Sequence, residues 1–212
     1  MKLVTPLIAI TISTLLSGCV VIKHSTPSKN AQDTTSENIK TTPTSSAKPL
    51  IANACIGSIS PPAEYADKLK VVHDKPLLAN ALGEPTKGGL CQGKVYEVTE
   101  SFTIYRAWNS TNPNSKFGKW WAFYEPSGAR SEYREDYEIC YQWSPIDMMT
   151  QCQISPGTKV VIGTGQSAFC SQYLTYPVSD AQQIYFENAD ESTMNCNNFH
   201  GVFNWQPVAT EM

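Results

Sequence analysis

The 212-residue chain is poor in the features that mark several functional classes. Only 17% of its residues are charged, Lys and Arg (16) are outnumbered by Asp and Glu (19), and no basic tract occurs. A nucleic-acid partner, which a clustered positive surface would announce, is therefore not implied. His24, His73 and His200 are isolated in sequence, and there is no C-x-x-C or His/Cys cluster, so no metal site is expected. Internal repeats are missing and long 3.6-period stretches are few, which leaves short strands to dominate. A single long apolar run, Leu3 to Leu16, follows Lys2. It is too short to span a bilayer as a permanent helix, and residues 1–18 read as a signal peptide.

That leader ends in Leu16-Ser17-Gly18-Cys19, which resembles the lipobox of bacterial lipoproteins. The resemblance implies cleavage before Cys19 and acylation of that residue, with several acyl chains giving a stable membrane anchor. Val20 stands where an Asp would signal inner-membrane retention, so the outer membrane is the expected address, facing either the periplasm or the exterior. Losing Lys2 with the leader takes the formal charge from −3 to −4. Residues 24–50, dense in Ser, Thr, Pro, Asn and Lys, hold too little apolar surface to offset the entropy of ordering. Residues 19–50 are thus expected to be a lipidated Cys with its flexible tether, and 51–212 a single globular domain.

Six cysteines remain after Cys19: Cys55, Cys91, Cys140, Cys152, Cys170 and Cys196. An even number in an exported chain reads as three disulfides, although spacing does not choose the pairing. Strands are expected at Lys94–Val98, Phe102–Trp108, Trp120–Tyr124, Thr158–Ile162 and Gln183–Phe186, where β-branched and aromatic residues lie between turn signals. Helices are expected at Ala63–Val71, Pro76–Leu82 and Ser131–Tyr141. The fold class this predicts is α+β: two small antiparallel sheets around a cleft, with short helices alongside and disulfides stapling the whole.

Along Phe102–Trp108, alternation puts Arg106 on the same face as Phe102 and Ile104. A guanidinium cannot shed its charge, so beside apolar neighbours it needs a carboxylate, backbone carbonyls or a bound anion. Further on come Gly118-Lys119-Trp120-Trp121, Pro156-Gly157-Thr158 with Val160, and Gln183-Ile184-Tyr185. The order Tyr105-Arg106, Gly-x-Trp-Trp, Pro-Gly-Thr-x-Val and Gln-Ile-Tyr resembles the ADP-ribosyltransferase superfamily, in particular necrotising-toxin-like bacterial NAD glycohydrolases. The resemblance covers roughly Val95 to Phe186.

This resemblance implies NAD as substrate, not as cofactor, with cleavage of the nicotinamide–ribose bond. Arg106 would grip the pyrophosphate beside Tyr105, and Trp120 or Trp121, following Gly118, would line the pocket and stack on a ring. Gln183 would sit against the nicotinamide ribose, and Gln166 would line the cleft. The chain departs from the family with Ala122 in place of a usual Ser or Thr, and with Ser179-Asp180-Ala181-Gln182 in place of a glycine cluster. Hydrolysis is favoured over transfer to a protein because Gln183 with Tyr185 lacks the acceptor-orienting Glu, although Glu187 keeps transfer open.

Other patterns read more plainly. Gly165-Gln166-Ser167-Ala168-Phe169 lacks the second glycine of a nucleophile elbow. Glu125, Glu132, Glu135, Asp136 and Glu138, alternating with Arg130 and Arg134, read as a solvated helix face. Trp120, Trp121, Trp143 and Trp205 are either core or a platform for a glycan or protein partner. The alternative function is accordingly a non-catalytic envelope lipoprotein that binds through exposed aromatics, and an immunity or envelope protein partner is compatible with either reading.

Overall fold

The computed structural model describes residues 54–201; the leader, Cys19, the tether, Trp205 and the rest of the C-terminus lie outside the described residues. Ten strands follow in order: β1 (Leu69–Val71), β2 (Leu90–Val98), β3 (Thr103–Trp108), β4 (Trp120–Ala122), β5 (Met148–Ile154), β6 (Lys159–Gly165), β7 (Ala168–Ser171), β8 (Leu174–Tyr176), β9 (Gln182–Tyr185) and β10 (Thr193–His200). Three short helices, α1 (Lys75–Ala81), α2 (Arg130–Asp136) and α3 (Ala189–Ser192), complete the α+β fold. Eight strands make an antiparallel sheet in the order β1-β2-β6-β9-β4-β3-β5-β10, and β7 and β8 form a separate hairpin.

β6 lies between β2 and β9, and Val160, Val161 and Ile162 in it are fully buried. A central strand covered on both faces reads as such a continuous apolar run. Val160 and Ile162 join Ile104, Trp121, Phe123 and Ile184 in the main core. Val161, on the opposite face, packs with Ala81 and Leu90 beneath α1. That helix starts where Asp74 caps it, accepting from the Leu77 amide at 3.1 Å, with Pro76 in its first turn.

The two small sheets expected from the sequence are fused into one, but only just. β3 and β4 share a single registered pair, Tyr105 with Ala122. Three strands (β3, β5, β10) hang from the other five through that pair, and beyond it β3 and β4 part.

Disulfides join Cys55 to Cys91, Cys140 to Cys170 and Cys152 to Cys196. The last ties β5 to β10, neither of which was expected. β10 (TMNCNNFH) is too polar to announce a strand, and its ladder to β5 is a long-range pairing. The expected helix over Ala63–Val71 divides. A 3-10 helix occupies Ala63–Lys68, and Leu69 then pairs with Val98 as part of β1, because the free edge of β2 outbids local helix propensity.

Candidate active site

Where β3 and β4 part, a cavity of about 230 Å³ opens. Arg106, Ala107 and Trp108 of β3, Trp120 and Trp121 of β4, and Gln183 of β9 line it on the sheet side. Tyr133, Tyr137 and Glu138 close the far wall, and Gly88, Gly89 and Trp143 complete the rim.

Arg106 has no carboxylate partner among the described residues, where the ion pairs are Lys119–Glu187 and Lys159–Asp74. Instead its Nε donates to the Ser115 carbonyl at 2.8 Å and its Nη1 to the Trp120 carbonyl at 2.5 Å. The 3-10 turn Pro113–Phe117 delivers the first acceptor, and the divergence of β4 frees the second. Burial pulls the guanidinium down to about 10, with Tyr133 opposing, so the group stays charged at neutral pH. Carbonyl dipoles orient this cation without neutralising it, so its remaining N–H groups are free for an anion.

Gln183 is buried, and its Nε2 donates to Glu138 Oε2 at 2.9 Å. Glu138 is a candidate site residue that sequence reading missed. It does not belong to a solvated helix face, whereas Glu125, Glu132, Glu135 and Asp136 are exposed as expected. α2 ends one turn early in a Schellman motif, in which the Ile139 amide donates to the Arg134 carbonyl at 2.9 Å. Glu138 falls at the left-handed position of that motif, with φ of 47°, and its side chain turns inward to 2% exposure. Glycine would signal such a stop; a glutamate there costs about 1 kcal/mol of backbone strain and gives no cue in the sequence. Burial pushes its carboxyl up to about 8 against the lowering influence of nearby Ser179 and of Gln183, which donates to it, and Asp136 adds to the rise; the Ser179 hydroxyl and amide themselves donate to the Asp136 and Gly165 carbonyls. Burial likewise raises Tyr137 to about 12 and Tyr133 further still.

The other expected site residues divide. The Trp121 ring is 2% exposed, stacks on Phe186 with centroids 5.9 Å apart, and donates its indole N–H to the Gly118 carbonyl at 2.8 Å. It is a wall of the cavity and not a free platform. The Trp120 ring packs on Tyr185 at 4.7 Å, against the second core cluster, while its carbonyl serves Arg106. Gly118 does not line the cavity; it lies under the guanidinium, where a Cβ would fall 2.2 Å from Arg106 Nη2. Tyr105 and Gln166 are also absent from the lining, Tyr105 because it alternates away from Arg106. The Gln166 side-chain Oε1 instead accepts from the backbone amide and hydroxyl of Ser167.

Ser167 itself lies between two strands, its hydroxyl bonded to Gln166 and to the Thr86 amide, which leaves no nucleophile elbow. Glu187 is also away from the cavity, paired with Lys119 at 3.2 Å. Trp143 is the Trp of the cavity with an open face, 51% exposed. Trp108 also lines the cavity, and its indole N–H has no acceptor among the described residues. No group of three or more potential metal-ligating side chains occurs among the described residues. No protein-family model, curated protein or solved structure matches the chain.

Proposed function

We propose that the chain is an exported NAD glycohydrolase with an ADP-ribosyltransferase-like arrangement, tethered through a lipid on Cys19 to the outer membrane. The observation that carries this reading is the convergence of Arg106 and Gln183 on one cavity, with a buried guanidinium that has no carboxylate to neutralise it. The cavity lies below the roughly 300–1,000 Å³ that whole drug-sized ligands occupy, so it encloses one end of a dinucleotide. The nicotinamide and its ribose enter, Trp121 walls the ring, and the free N–H groups of Arg106 fork onto the phosphates at the mouth.

In the reaction the bond from ribose C1′ to the pyridinium nitrogen breaks. Its electron pair goes to that nitrogen, which leaves as neutral nicotinamide, and water adds to C1′ and releases a proton. A cationic leaving group needs little acid catalysis, so positioning and electrostatics suffice. Glu187 is turned away from the cavity, which favours water over a protein acceptor.

The test is incubation of the protein with NAD and measurement of free nicotinamide. Release that Arg106→Ala abolishes supports the reading, and no release by the wild type ends it. The anchor is tested separately by Cys19→Ser, which should lose incorporation of labelled fatty acid and move the protein from membrane to soluble fractions.

One observation favours the binding-module reading. Tyr141, Trp143, Phe169 and Tyr173 are all more than half exposed and flank the Cys140–Cys170 bridge. A glycan or protein bound there would be lost when these rings are removed and kept when Arg106 is changed.

A further inference from the structure

The reaction above makes no use of Glu138, yet three independent observations converge on it. Its backbone holds the left-handed conformation at a helix stop that ordinarily carries glycine. Its carboxyl rests on Gly165, where a Cβ would fall 1.9 Å from Oε2 and 2.0 Å from Oε1, so only a bare α-carbon leaves it a seat. Its Oε1 is buried without a hydrogen-bond partner among the described residues, while Oε2 accepts from Gln183. Strain, a tailored neighbour and an unsatisfied buried oxygen together mark a group kept for a site, since a helix end that only had to stop would dispense with all of them.

We propose that Glu138 is a positioning residue: by accepting from Nε2 of Gln183 it turns that amide so that the carbonyl oxygen faces the cavity and accepts from a hydroxyl of the substrate ribose. This rests on the NAD-cleaving reading of the site. An amide has a donor end and an acceptor end of nearly the same shape, and only its partner decides which points where. Charged or neutral, Glu138 keeps an oxygen that accepts from Nε2. With the acceptor end inward, Gln183 draws on the hydroxyl proton and shifts electron density toward the ring as C1′ becomes cationic. With the donor end inward it would draw density away and oppose the step. The contact strengthens in the transition state, so its loss falls on kcat and not on KM.

The experiment measures NAD cleavage and thermal melting for the full chain, purified in detergent, as wild type, Glu138→Gly, Glu138→Gln, Gln183→Ala and the Glu138→Gly/Gln183→Ala double variant. Glu138→Gly relieves the backbone strain and removes a buried carboxyl, so it melts no lower than wild type. It nevertheless loses about 100-fold in kcat with KM within about threefold. Glu138→Gln, which retains an acceptor for Nε2, recovers kcat to within about tenfold of wild type, and the double variant is no slower than Gln183→Ala alone. Full kcat in Glu138→Gly, or losses that multiply in the double variant, would overturn the proposal while leaving the NAD-cleaving reading intact. Should Glu138→Gly melt lower, the Gln variant decides: a kcat no better than that of Glu138→Gly refutes positioning. A wild type inert toward NAD overturns both proposals.

Discussion

Arg106 bonds the Trp120 carbonyl at 2.5 Å across the gap that opens in the sheet beyond the Tyr105–Ala122 pair. The guanidinium thus replaces ladder hydrogen bonds that β3 and β4 no longer exchange, and one side chain both closes the sheet and charges the cavity. Arg106→Lys keeps the charge but loses the fork. The Ser115 carbonyl still accepts from the Gly118 amide at 3.2 Å, whereas the Trp120 carbonyl loses its fork donor, at about 1–3 kcal/mol for an orphaned buried acceptor. The melting temperature should fall by about 3–10 °C and turnover should collapse, measured by calorimetry and nicotinamide release. Unchanged melting with lysine would show that the two carbonyl bonds are dispensable.

Gly118→Ala isolates geometry from charge. Gly118 has a φ of −68°, which alanine adopts freely, yet the new methyl would lie 2.2 Å from Arg106 Nη2. The obstructing atoms are the end of a long side chain, so the fold yields by shifting the guanidinium. A displacement of about 1 Å at a binding group can cost on the order of 100-fold in rate. Activity should therefore drop by about that factor while the melting temperature moves by less than about 3 °C. Activity within threefold of wild type would argue that the guanidinium position is not critical.

Trp143 stands half-exposed at the rim of a cavity too small for the whole dinucleotide. Its ring is seated over Gly88, where a Cβ would fall 3.4 Å from the indole. On the proposed NAD-cleaving reading, the adenine half would stay outside with this face to stack on, worth about 0.5–1.5 kcal/mol beyond area. Trp143→Ala should raise KM for NAD about 3- to 10-fold and leave KM for nicotinamide mononucleotide, which has no adenine, nearly unchanged. Equal rises for both substrates would place the ring against the nicotinamide end instead.

Much of this arrangement was legible because strand periodicity and local chemistry carry it. β3, β4, β6 and β9 are short runs of β-branched and aromatic residues, and Arg106 and Gln183 could be placed on them before any coordinates. What stayed hidden depends on pairing between distant segments. Asn-rich β10 is a strand because β5 and a disulfide hold it, not because of its own propensity. Glu138 looked like one more surface carboxylate of a charged helix, since nothing local reveals that α2 stops at Asp136 and that Gly165, 27 residues on, leaves it a hole.

The bridge between Cys140 and Cys170 fastens the segment that follows Glu138 to the β7–β8 hairpin. Closing a loop with a sequence separation of 30 residues in the unfolded chain is worth about 3–4 kcal/mol in the chain-entropy account. Cys140→Ser/Cys170→Ser should lower the melting temperature by about 6–12 °C, and the far wall of the cavity should loosen before the sheet does. Hydrogen exchange would show this as early loss of protection at 134–144 with β6 still protected. Simultaneous loss in both would mean that the bridge stabilises only the whole domain.

The buried carboxyl also fixes the sign of a pH dependence. Burial lifts Glu138 to about 8 from an ordinary value of 4.5, so between those limits the folded protein holds a proton that the unfolded chain has released. Stability is therefore greatest at the acid end of this window and falls as pH rises through it, by roughly 3–5 kcal/mol if the whole shift is expressed. The charged and titratable groups around it do not reproduce that slope. Arg106, near 10, and Tyr137, near 12, titrate above the window, as does Tyr133. Asp136, itself raised by burial, adds a slope of the same sign that the Glu138→Gln variant retains. Glu64, Asp74 and Asp147 are held below their ordinary range by hydrogen bonds, so what they contribute is lost only as pH drops further. Melting temperatures of the wild type should decline from pH 5 to pH 8 and level off above, whereas Glu138→Gln, which has no proton to lose at that position, should give a much shallower line. A decline of the same steepness in that variant would assign the effect to another group and return Glu138 to the ordinary carboxylate range.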